Sequence, residues 1–176
     1  MIFYRVSRND YSIGDSIWET GESESAGYEA AKNREIFMSL INDRNEVGVI
    51  AILAKYNDGQ INSAYMEAFL EQVRGSEFSN FPIRFKNMMV FRNLESAKYF
   101  KVQYRAASLV TIYEVEVPDD TDYFVGDMNA CTEAVSFGFR DIEDMSRKYW
   151  EGEYTPNPLE EIILYPETKA VVKSIV

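Results

Sequence analysis

The chain contains no histidine and a single cysteine, Cys131, in 176 residues. The first absence removes Ser-His-Asp and Cys-His nucleophilic catalysis, together with any metal site built on imidazole. The second removes an internal disulfide and thiolate clusters, and it fits a reducing, cytoplasmic setting. Long apolar runs are missing too, since none reaches the ~18 residues that a membrane-spanning helix needs. The opening residues, MIFYRVSRND, carry charge early and lack the apolar stretch of a signal peptide. Neither a GxGxxG fingerprint nor a P-loop is present. Positive charge is scarce: 18 Lys and Arg stand against 29 Asp and Glu, for a net charge of −11 and a pI near 4.5. A broad basic face for a nucleic-acid backbone is therefore not expected. Acid–base and electrostatic chemistry is left to Asp, Glu, Lys, Tyr, Arg and the backbone.

What is there supports a packed core. Apolar residues make up 46% and aromatics 14% of the chain, enough for a single domain over residues 1–176. Ile2 to Val6 reads as a strand, and Tyr11 to Trp18 contains a Gly-Asp turn. Apolar residues recur at helical spacing in 28–41, and Ile61, Ala64, Tyr65, Ala68, Phe69 and Val73 line one face of a second helix that Arg74-Gly75-Ser76 ends. The run from Val47 to Tyr56 fits a buried strand or a buried helix, and Asn57-Asp58-Gly59 is a turn. Met88 to Phe91 reads as a strand, Leu94 to Phe100 as a short helix, and Leu109 to Val117 as the strongest strand, stopped by Pro118-Asp119-Asp120. Helices are expected over Met128 to Val135 and Asp141 to Trp150. Glu161 to Leu164, a Pro-Glu-Thr turn and Ala170 to Val176 read as a closing β-hairpin. Strands at both ends and in the middle, with helices gathered between them, indicate an α+β fold rather than a regular βαβ alternation.

Several side chains are placed where chemistry could sit. Glu161 begins the strand of the closing region, and period-2 alternation sends it to the face opposite Ile162 and Leu164. It is either a solvated strand end or a carboxylate that stabilises a developing cation or binds a sugar hydroxyl. A one-residue slip in register would exchange it with Glu160. Arg5 lies inside the first strand, where a charge needs a partner or a cleft; it either snorkels to solvent or holds a phosphate or carboxylate. Arg84, with Lys86 and Arg92 nearby, forms the most basic stretch of an acidic chain, which fits solvated surface or a small anionic ligand. The segment of Asp119, Asp120 and Asp122 lacks the Gly and spaced ligands of a calcium loop and reads as a turn. Cys131 falls in an apolar helical stretch and reads as core.

Read in order, FYRVSR at Phe3–Arg8, FPIRF at Phe81–Phe85, VFRNLESAKYF at Val90–Phe100, YEVEV at Tyr113–Val117, DMN at Asp127–Asn129, YWEGE from Tyr149 and PLEEIIL at Pro158–Leu164 resemble a family of uncharacterised bacterial proteins with an ADP-ribosyltransferase-like fold. Order and spacing carry the resemblance, which leaves out roughly residues 46–76. It implies a split, mainly antiparallel β core with helices packed around it. It also implies NAD as the bound substrate and an unknown macromolecular acceptor, a protein or a nucleic acid. By the resemblance Arg5 holds the NAD phosphates or ribose; Tyr4, Arg84 and Tyr113 are taken beside it as supporting candidates for cofactor binding. Glu161 meets the nicotinamide ribose and stabilises the oxocarbenium-like transition state.

Three places depart from the family pattern. Met89 and Val90 stand where a hydroxyl is usual before Phe91, and Arg92 where a small residue is usual. Leu159 stands two residues before Glu161, where arginine-modifying members carry Gln or Glu, so arginine is not the expected acceptor. The alternative expectation is a catalytically inactive acidic interaction protein of the same fold, for example a phage-encoded inhibitor of a host defence system.

Overall fold

A computed structural model describes residues 1–17, 60–84, 87–104, 110–130, 142–165 and 168–176. It has an α+β architecture with antiparallel sheets. The described strands are β1 (Ile2–Ser7), β2 (Ser16–Ile17), β3 (Met89–Val90), β4 (Thr111–Glu116), β5 (Tyr123–Asp127), β6 (Glu160–Leu164) and β7 (Ala170–Ile175). The helices are α1 (Gln60–Glu77), α2 (Leu94–Tyr104) and α3 (Ile142–Glu151). One sheet has the order β1-β4-β7-β2 and the other β3-β6-β5, and every pairing is antiparallel. An isolated bridge joins them: the Tyr4 and Phe91 amides each donate to the other's carbonyl at 2.8 Å. The two sheets thus form one curled surface with a concave and a convex side. Among the described residues no helix is long and apolar enough to cross a membrane.

The pleat sorts side chains between those sides. The concave side is filled by Phe3, Tyr113, Val115, Ala170 and Val172 of the first sheet, packed against Val90, Ile162 and Leu164 of the second. On the convex side, α1 and α3 cover the second sheet. Met66, Phe69, Leu70 and Val73, at helical spacing on α1, meet Phe124, Ile163, Tyr149 and Trp150. The Trp150 indole N–H donates to the Leu70 carbonyl at 2.8 Å and ties the two helices. Helix α2 covers the first sheet, packing Ala97 and Phe100 against Ile112, with Tyr4 and Val6 beside them. Asn93 caps α2 through its side-chain oxygen, which accepts from the Ser96 amide at 2.8 Å.

The closing region is not a hairpin. β6 lies between β3 and β5, whereas β7 lies between β4 and β2 in the other sheet. Each strand gains two backbone partners this way, and the concave faces of the two sheets bury Ile162 and Leu164 against Ala170 and Val172. A direct β6–β7 pair would take β6 from between β3 and β5 or β7 from between β4 and β2. β5, not expected from sequence, supplies the outer neighbour of β6. α1 continues past Arg74-Gly75-Ser76 to Glu77, and α2 past Phe100 to Tyr104. The expected helix at 28–41, the run at 47–56, the turn at 57–59, Cys131 and most of the helix at 128–135 lie outside the described residues.

Candidate functional site

Alternation along β6 decides which acid faces which way. Glu160, Ile162 and Leu164 share the concave face, and Leu159, Glu161 and Ile163 share the convex face. Glu161 is fully buried. Burying a lone carboxylate is costly, and here it is met by a cation and a hydroxyl. The Arg84 Nε and Nη2 donate to its two oxygens at 2.8 Å each, and the Tyr149 hydroxyl donates to Oε1 at 2.7 Å. This bidentate fork is the strong form of a charge-assisted hydrogen bond.

Three local structures deliver those partners. Arg74 bridges Glu71 at 2.7 and 2.8 Å and donates to the Ser79 and Phe81 carbonyls, which fastens the segment leading to Arg84. The same contact with Glu71 pushes the Arg74 guanidinium pKa up, against the lowering effect of burial. Phe81 packs on Phe124 and Trp150 with ring centroids 4.9 and 6.0 Å apart. Tyr149 comes from the last turn of α3, and Gly126, paired with Glu161, leaves room for its ring. A glycine inside a strand is a sequence signal for such a close approach.

The concave mouth has a different character. Arg5 is buried there beside Tyr113, its register partner on β4, and its Nη1 donates to the Met89 carbonyl at 3.3 Å. The Tyr113 hydroxyl donates to the Asn9 carbonyl and accepts from the Tyr11 amide, both at 3.2 Å. Through the Tyr4–Phe91 bridge, β1 and β6 flank β3, so Arg5 and Glu160 both project to the concave side across it. The Glu160 side chain is 40% exposed, and the Arg92 Nε lies 3.8 Å from it. The Arg92 guanidinium sits 5.7 Å from the centre of the Tyr123 ring. Tyr154 lies on the loop before β6, where burial first, and then the charge of Glu160, push its phenol above the ordinary range. Tyr154 therefore stays a donor at neutral pH.

Of the residues singled out from sequence, Glu161 and Arg84 are brought together on the convex side, and Arg5 and Tyr113 on the concave side. The Tyr4 side chain packs on the α2 side, away from Arg5. The second sheet separates Glu161 from Arg5, so one pocket does not hold both. Sequence reasoning missed Tyr149, Tyr154, Gly126 and the buried Asp127, although Asp127 opens the quoted Asp-Met-Asn motif.

The sequence profile of a family described as a protein of unknown function (DUF2441) matches residues 6–176. No curated protein matches the chain.

Proposed function

The chain belongs to the DUF2441 family of proteins of unknown function, and for this member we propose NAD-dependent ADP-ribosyl transfer at the concave mouth, with Glu160 as the carboxylate. The observation that carries the choice of Glu160 is the opposite facing of the two acids. Glu161 has both oxygens engaged and no exposed surface, whereas Glu160 is part-exposed and, by strand register, shares its side with Arg5. What supports the reaction class is the resemblance of the ordered segments, together with a split antiparallel core that offers a cation and an acid on the same side.

In this reading the Arg5 guanidinium holds a phosphate or ribose oxygen of the dinucleotide. The bond from ribose C1′ to the nicotinamide nitrogen breaks, and its electron pair leaves with nicotinamide. The positive charge that develops on the sugar is met by the Glu160 carboxylate, with the Tyr154 phenol on the loop before it. An acceptor nucleophile on a macromolecule then bonds to C1′ and loses its proton to solvent. Labelled NAD, incubated with the protein and a cell extract, tests this reading. Glu160→Gln is expected to lower nicotinamide release and labelling by about 100-fold or more, with the melting temperature nearly unchanged. Equal labelling by wild type and Glu160→Gln would sink the assignment.

A second reading, an inactive acidic interaction protein, is favoured by β3. Its concave side chain, Val90, is apolar and fully buried, so β3 presents no hydroxyl toward Glu160. Calorimetric titration with NAD separates the two readings, since an absence of heat favours the interaction protein.

A further inference from the structure

We infer that Asp127 and Glu161 are positioning residues, two buried carboxylates that clamp the chain on either side of Glu160 and hold Glu160 and Tyr154 at the concave mouth. This rests on the proposed role of Glu160. Asp127 is fully buried at the end of β5, opposite Glu160 in register. Its Oδ1 accepts from the Asn129 and Leu159 amides at 2.9 and 2.8 Å. Its Oδ2 accepts from the Thr155 amide at 2.8 Å and the Thr155 hydroxyl at 2.6 Å. One carboxylate thus grips the residue after Tyr154 and the residue before Glu160. Two further bonds close the same seam: the Met128 amide donates to the Leu159 carbonyl at 2.9 Å, and the Asn129 side-chain amide to the Asn157 carbonyl at 2.6 Å. On the far side of Glu160, Glu161 is gripped by Arg84 and Tyr149.

The loop between α3 and β6 needs such a clamp. Gly152, at φ +75°, ends α3, with the Glu153 amide donating to the Lys148 carbonyl and the Gly152 amide to the Tyr149 carbonyl. The chain then crosses 153–159 without regular structure before β6 begins. A loop of that kind samples many conformations unless its backbone groups are engaged. Three of the four donors on that buried acid, the Thr155 amide and hydroxyl and the Leu159 amide, engage the loop at two points. A catalytic group displaced by about 1 Å can lose up to ~100-fold in rate, so fixing the loop fixes the geometry of the pair that it carries.

The test uses the full chain with Asp127→Asn, Thr155→Val and Glu160→Gln, read by amide hydrogen exchange and by nicotinamide release from NAD. Asp127→Asn turns a side-chain amide toward donors that need an acceptor; Thr155→Val is the milder variant and removes one hydroxyl. Exchange at Thr155 and Leu159 is expected to quicken by about tenfold or more in Asp127→Asn, with the strands of the first sheet unaffected, since a lost net hydrogen bond of this charged type is worth roughly that factor. Nicotinamide release is expected to fall in kcat by about tenfold or more in Asp127→Asn and less in Thr155→Val, with KM for NAD within about twofold. Unchanged exchange at both amides in the two variants overturns the clamp. Wild-type kcat in a variant whose loop exchanges fast overturns its bearing on the site. If wild type and Glu160→Gln release nicotinamide equally, the reaction assigned to the site fails instead, and the clamp is judged on exchange alone.

Discussion

The ring of Tyr149 occupies the volume that a β-carbon on Gly126 would need, and Gly126 is the residue paired with Glu161 across β5 and β6. The missing side chain is what lets the phenol reach the buried carboxylate. Gly126→Ala is expected to push Tyr149 aside and destabilise the fold by about 1–3 kcal/mol, the usual cost of overpacking. The same substitution made in a Tyr149→Leu background should cost less. Thermal melts of the two singles and the double measure that coupling; strictly additive losses would show that the ring and the glycine are independent.

Breaking the Glu161–Arg84 pair leaves a buried charge without its counterion. Glu161→Gln and Arg84→Met are each expected to cost about 3–5 kcal/mol, or roughly 10 °C in melting temperature for a chain of this size. Replacing both with Met should cost less than the sum of the singles, because no lone charge remains. Calorimetric melts of the three variants give the answer, and a neutral Glu161→Gln would contradict the structural role assigned to it.

Tyr154→Phe removes a hydroxyl that senses the charge of Glu160 while keeping the ring. Since Tyr154 is 52% exposed, the melting temperature should hardly change. If the concave mouth transfers ADP-ribose, kcat for nicotinamide release is expected to fall by about tenfold with KM for NAD little altered. Steady-state kinetics of the single variant decide it, and an unchanged kcat removes Tyr154 from the site.

On the surface, α1 and α3 are tied by Arg147, whose Nε and Nη2 reach the Glu77 oxygens at 2.8 and 2.9 Å. This contact holds the Glu77 carboxyl below the ordinary glutamate range and raises the Arg147 guanidinium. A depressed carboxyl contributes stability above its unfolded pKa and loses it as pH falls through the folded one. Glu116 beside Lys173 and Asp144 beside Lys148 are depressed in the same sense. Melting temperature is therefore expected to fall as pH drops from about 5 toward 3. The Glu77→Gln variant should show a shallower fall, and added salt should narrow the difference because the pair is exposed.

Much of the fold was legible from local signals. The first strand, the strand at 111–116, the existence of α1 and the helix at 142–151 all follow from periodicity and turn residues, although on α1 only Phe69 and Val73 of the expected face are among the packed residues described, beside Met66 and Leu70. Partner choice was not. β6 and β7 read as a hairpin because a short turn separates two β-branched runs, and nothing in that pattern says that each run prefers the middle of a different sheet. β5 was missed because Gly126 interrupts a short run between acidic residues. Glu161 carried an open choice between solvent and chemistry, and it proved to be neither exposed nor on the Arg5 side. Its partner Arg84 stands 77 positions earlier, a separation that no spacing rule reaches. The Glu160–Glu161 ambiguity was visible in the sequence, but only the packing of Ile162 and Ile163 on opposite sides resolves which acid faces inward.

The parting of β6 and β7 also bears on how the molecule is made. Residues 160–176 supply an inner strand to both sheets at once. β1 and β4 can pair as soon as β4 has emerged from the ribosome, but β3 and β5 have no strand between them, and β2 no neighbour, until this stretch appears. Neither half of the core can therefore reach its final packing early in translation. Such late, long-range closure slows folding and leaves strand edges uncovered in the meantime. A nascent chain stalled before Glu160 would thus display open edges of both sheets, a natural target for chaperones.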